Sequence, residues 1–142
     1  MANVAGVDLC VAAARAGALG SLPCGMIAPE RVREQVADVR EQIDTPLNLN
    51  FFSFAMPEPA EDDSWRKLLR PYYEKFGVPE PHAAALRQPF DEAYCAIVEE
   101  VKPEVVSFHF GLPQESLLER VKASGAVVIG CATTPAEAFF LE

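Results

Sequence analysis

The sequence predicts an α/β fold in which parallel strands alternate with helices, arranged as part of a closed (β/α)8 barrel. Two observations predict it. Short apolar stretches alternate with helix-length amphipathic segments, the pattern of a parallel sheet joined by crossover helices. Each strand also carries one aliphatic face, while its other face turns small or polar toward the C-terminal end. An open sheet packed by helices on both sides would make its strands nearly continuous apolar runs. A barrel arc is helix-covered on its outer face and binds ligands at the C-terminal ends of its strands.

Taken in order, "VDLCVAAARA" (Val7 to Ala16) is Ala-rich and stops against Gly17, a suitable residue just past a helix. "ALGSL" is a short apolar run between glycines and Pro23. Pro29 to Gln42 forms a helix with Val32, Val36 and Val39 as its apolar stripe and Pro29 in its first turn. "LNLNFF", Leu47 to Phe52, is a strand opened by Thr45-Pro46. From about 55 to 90 the chain changes character, with Pro57, Pro59, Pro71, Pro79, Pro81 and Pro89, an acidic patch and the single tryptophan, Trp65. That composition reads as a surface excursion whose aromatics need packing partners, with one helix near Ser64 to Phe76 capped by Ser64. A helix from Phe90 to Val101, the strand "VVSFHFGLP", a helix from Gln114 to Ser124, the strand "AVVIGCAT" and a final helical start, "TPAEAFFLE", complete the pattern.

With period 2, Val106, Phe108, Phe110 and Leu112 fall on one side of the third strand, and Val105, Ser107, His109 and Gly111 on the other. In "LNLNFF" the asparagines Asn48 and Asn50 share a face. Parallel pairing then presents Asn50, His109 and Ala132 at one common end. His109 points into the barrel mouth, between phenylalanines that pack outward under helices. His82, in the excursion, reads as merely exposed.

Other classes are excluded by composition. The net charge is −9, the wrong sign for nucleic acid or an anionic membrane surface. No apolar run has the length of a membrane span, and the N-terminus lacks the basic segment of a signal peptide. Cys10, Cys24, Cys95 and Cys131 lie far apart with no CxxC and no metal-ligand spacing, so they read as buried reduced thiols of a cytoplasmic protein. "AGALGSL" is not a dinucleotide fingerprint.

Five motifs in register, "MANVAG…LCVAAARAGALGSL", "PERVREQV", "PLNLNFF", "VVSFHFGLP" and "VKASGAVVIGCATTPAEA", resemble the nitronate monooxygenase family, also called 2-nitropropane dioxygenases. The resemblance runs through nearly the whole chain and is weakest in the excursion. It implies an FMN-dependent TIM-barrel enzyme that oxidises alkyl nitronates with O2 to a carbonyl compound and nitrite. Met1-Ala2-Asn3 matches the end of the family's flavin-contacting loop, Asn50 its flavin-binding asparagine, and His109 a histidine on the substrate side of the pocket. Ala18 stands where a second glycine is more usual. Against a family barrel the first strand and the C-terminal half are missing, with the principal catalytic histidine motif and the phosphate-binding loops. The resemblance therefore implies a single incomplete barrel domain over residues 1–142, an inactive fragment whose open sheet edges promote self-association. The alternatives are another flavin barrel enzyme, such as an enoyl-acyl-carrier reductase, or a non-enzymatic remnant.

Overall fold

A computed structural model of the chain describes residues 4–56, 63–79 and 87–142. They fall into two compact units, Met1–Ala55 with Gln88–Glu142, and Met56–Arg87. In chain order the first unit holds α1 (Val7–Arg15), β1 (Gly20–Pro23), α2 (Pro29–Arg40) and β2 (Leu47–Phe52). The second contributes α3 (Asp63–Phe76). The first unit then resumes with α4 (Glu92–Val101), β3 (Val105–His109), α5 (Glu115–Ala123), β4 (Val127–Gly130) and α6 (Pro135–Leu141). Ser64 lies inside α3 rather than capping it, and Pro71 sits within the same helix. Trp65, Tyr72 and Phe76 are exposed there. His82 lies outside the described residues.

All three strand pairs are parallel, in the order β1-β2-β3-β4. One face of the sheet is covered. Leu22, Leu47, Leu49, Phe51, Val106 and Phe108 are at most 1% exposed and meet Val32, Val36 and Val39 of α2 and Cys95, Ile97 and Val98 of α4. The valine stripe of α2 is buried as its 3.6-residue spacing requires. α4 begins two residues later than the apolar pattern alone suggests, because the Asp91 carboxylate accepts from the N–H groups of Ala93 and Tyr94. Lys102, in the left-handed conformation before Pro103, ends it.

Two sequence expectations fail at the strand ends. Phe110 does not continue the outward face of β3. Its φ is +72°, the strand has ended at His109, and its ring lies 5.3 Å from Phe52 on the opposite side, 71% exposed. The following residue, Gly111 at φ +127°, passes the Ser53 carbonyl so closely that a Cβ would lie 3.3 Å from it. In β4 the expected small face, Val128, Gly130 and Ala132, does not lie with Asn50 and His109. Ile129 pairs with Ser107 and Val127 with Val105, so the aliphatic residues, not the small ones, continue the uncovered face. Gly130 is small because Leu141 of α6 packs on it, 3.1 Å from where a Cβ would sit. Ala132 lies in the loop beyond β4. Cys131 is also exposed, whereas the other three thiols are buried. Among the described residues no helix is long and apolar enough to cross a membrane.

A polar clamp joins the starts of β2 and β3. Glu104 accepts from the Leu47 N–H at 2.8 Å and from Arg40 Nη2 at 2.7 Å, while Arg40 Nη1 donates to the Thr45 carbonyl. Burial pushes the Glu104 carboxyl up, but the Leu47 N–H and the Arg40 guanidinium together outweigh it and hold it below the usual range. Hydrogen bonds from Arg120 and Arg33 likewise hold Glu99 and Glu100 low. These carboxyls bind protons more weakly when folded. Their contribution is therefore full above the ordinary value of 4.5 and is lost as the pH falls through it into the lower folded range. The urea midpoint should decline as the pH falls below the ordinary carboxylate range, and Glu104→Gln should flatten that decline. An unchanged slope in the variant would mean that the clamp does not couple to folding.

Candidate functional site

The face of the sheet not covered by helices carries the polar residues. Because the strands pair in register, Ser21 and Pro23 of β1, Asn48 and Asn50 of β2, and Ser107 and His109 of β3 project to the same side. Together with Leu9, Cys10 and Ala13 of α1 they line a cleft of about 480 Å³.

Hydrogen bonds cross three strands on its floor. Asn48 Nδ2 donates to Ser21 Oγ at 2.8 Å and to Ser107 Oγ at 3.0 Å. Asn50 Nδ2 donates to the same Ser107 Oγ at 2.8 Å and leans on the Ser107 carbonyl at 3.4 Å. A carbonyl oxygen only accepts, which fixes the Asn50 amide with Nδ2 toward Ser107 and Oδ1 away from it. Asn48 is 7% exposed, and its Oδ1 is buried with no hydrogen-bond partner among the described residues.

His109 ends β3 at the rim. Its imidazole is exposed, with ring contacts to Phe52 at 6.4 Å and Phe110 at 6.1 Å. It also lines a second, more apolar pocket of about 370 Å³ with Phe110, Cys131, Phe140 and Leu141. The cleft's thiol is a poor nucleophile: burial raises Cys10, and pushes the nearby Cys24 up to about 12.

Asn50 and His109, both expected at a common site, thus line one cleft at the C-terminal ends of adjacent parallel strands. Met1, Ala2 and Asn3 lie outside the described residues. Ala132 is not part of the cleft. Ser21 was not singled out by sequence; its signal was only its alternation with Leu22 in a four-residue strand.

The whole chain, residues 1–142, matches the family model described as nitronate monooxygenase. The chain belongs to the nitronate monooxygenase family. It is 34% identical, over its full length, to the nitronate monooxygenase of Paraburkholderia phytofirmans and 33% identical to that of Pseudomonas aeruginosa. It covers 40% and 42% of those proteins, so it spans about two fifths of the length of these curated relatives. Among solved structures it resembles nitroalkane oxidase from Streptomyces ansochromogenes, with a TM-score of 0.82 and 27% identity over 97% of this chain and 40% of that one. FabK from Thermotoga maritima shares the fold alone, with a TM-score of 0.69 at 20% identity over 99% of this chain and 34% of that one. The four parallel strands with helices on one side are the corresponding arc of the TIM barrel of this oxidoreductase family.

Proposed function

We propose that the cleft is the ring-binding part of an FMN site, and that the chain serves an enzyme oxidising small alkyl nitronates with O2 to a carbonyl compound and nitrite. The observation that carries this reading is the neutral polar floor of Asn48, Ser107 and Asn50 beneath His109, at the C-terminal ends of parallel strands. Amide and hydroxyl groups of this kind suit the heteroatom edge of a flavin, and the buried Asn48 Oδ1 marks the floor as built for more than packing. When bound, FMN would accept the electrons of the nitronate and pass them to O2.

The chain's own residues then have distinct tasks. Asn50 would hydrogen-bond the ring through its Oδ1, which accepts from no side chain or N–H group among the described residues, and Met1, Ala2 and Asn3 would be further flavin-binding residues. His109 would donate a hydrogen bond to a nitro oxygen of the anionic nitronate and orient it over the ring. Phe52 and Phe110, against the imidazole, would exclude water and strengthen that bond.

Among the described residues lining the cleft there is no lysine or arginine to hold a phosphate. FMN and riboflavin should therefore bind this chain with similar affinity, in the micromolar range or weaker. Flavin fluorescence on titration checks this. Nanomolar binding of FMN, with riboflavin far weaker, would contradict the expected absence of a phosphate site. No quenching by either flavin would remove the flavin reading.

A further inference from the structure

Ser107 Oγ has two lone pairs and one proton. Both acceptor directions are occupied by amide donors, Asn48 Nδ2 at 3.0 Å and Asn50 Nδ2 at 2.8 Å. No described residue accepts the Ser107 proton, and Ser107 lines the cleft. The hydroxyl is thus locked as a donor toward the cleft. Asn50 can be oriented only one way, because the Ser107 carbonyl accepts from it. Asn48 could in principle be turned over: its Oδ1 would then accept from the hydroxyls of Ser21 and Ser107 and consume the Ser107 proton. In the orientation present, its two amide hydrogens hold both hydroxyls as acceptors, and Oδ1 is left buried without a donor among the described residues. A group needed only to fill space would not carry that cost, since an aliphatic side chain would avoid it.

We propose that Asn48 is a positioning residue, whose amide turns the Ser107 hydroxyl outward so that it donates to a carbonyl oxygen of the bound flavin ring. This rests on the flavin reading above and adds to it. Asn48 lines the floor of the cleft, but its Oδ1 is buried and both its amide hydrogens are given to the two hydroxyls. It acts through Ser107, so the two residues must be coupled.

The test is a titration of the chain with lumiflavin, the flavin ring without its ribityl phosphate, on four proteins: wild type, Asn48→Asp, Ser107→Ala and the double variant. A carboxylate at position 48 can only accept, so it draws the Ser107 proton inward and presents a lone pair to the ligand. Asn48→Asp should weaken lumiflavin binding about tenfold, one neutral hydrogen bond's worth. In the Ser107→Ala background the same substitution should change affinity by less than about twofold. Should Asn48→Asp not fold, Asn48→Ala in the same two backgrounds carries the test, with loss of affinity only where Ser107 is present and an unchanged urea midpoint. Equal affinity in wild type and the position-48 variants would overturn the proposal. So would an equal loss with and without Ser107, which would mean that Asn48 acts on the ligand or the fold directly. If wild type binds neither lumiflavin nor FMN, the flavin reading falls and takes this inference with it. If wild type binds and the coupling is missing, only the positioning role falls.

Discussion

Phe51→Ala should lower the free energy of unfolding by about 3 to 5 kcal/mol, the usual range for emptying a fully buried phenylalanine site. Phe51 is 0% exposed, and its ring centroid lies 5.0 Å from Phe90, 5.4 Å from Tyr94 and 6.4 Å from Phe108. It therefore joins β2 to β3 and to α4 through one aromatic cluster. The neighbours cannot collapse into the space it leaves. Phe90 is tethered by its N–H to the Phe52 carbonyl, and Tyr94 by its hydroxyl to the Ile27 carbonyl at 2.7 Å. The loss should therefore include a cavity contribution beyond transfer. Phe110→Ala is the informative control. Strict alternation would bury Phe110 like Phe108, yet it is 71% exposed at a left-handed backbone position. Its loss should be under about 1 kcal/mol. Urea midpoints of the two variants decide the matter; comparable losses would mean that the outward face of β3 runs past His109 after all.

That contrast shows what can be read from the chain and what cannot. The bounds of β2, Leu47 to Phe52, and the buried stripe of α2 follow from periodicity, because burial on one face leaves a repeating trace in the residues themselves. Parallel pairing follows from helix-length segments between strands. Asn50 and His109 share a cleft because both lie on the uncovered face of adjacent strands, which parity alone places correctly. Phe110 was misplaced because a single positive φ ends the alternation, and no residue type announces it when the residue is a phenylalanine. The faces of β4 were misassigned for a related reason. Its Gly130 accommodates Leu141 from a later helix, a contact that exists only after α6 folds back. The orphaned Asn48 Oδ1 was equally invisible, since it depends on the register of three strands and on Ser21 and Ser107 arriving at the same height.

In a full-length barrel of the family carrying this segment, His109→Ala should reduce nitronate-dependent oxygen uptake with FMN by about one to two decades while leaving the urea midpoint nearly unchanged. The small effect on folding follows from the structure. The imidazole is exposed, and among the described residues its contacts are ring contacts to Phe52 and Phe110. The backbone link that His109 does provide, its carbonyl accepting from the Ser53 N–H at 2.8 Å, survives replacement by alanine. Exposed substitutions of this sort usually move stability by about 0.5 kcal/mol or less. The large effect on rate follows from the proposed role. A hydrogen bond to an anionic nitronate oxygen is worth about 1.5 to 3 kcal/mol, and its loss from the transition state gives about one to two decades. His109→Gln separates donation from bulk, because it retains an N–H donor at the same rim and should recover part of the rate. Oxygen uptake with propane-2-nitronate, measured beside the urea midpoint for both variants, discriminates the cases. If His109→Ala keeps its rate but loses several kcal/mol of stability, the imidazole is a structural member of the aromatic rim, and the catalytic reading of the site fails.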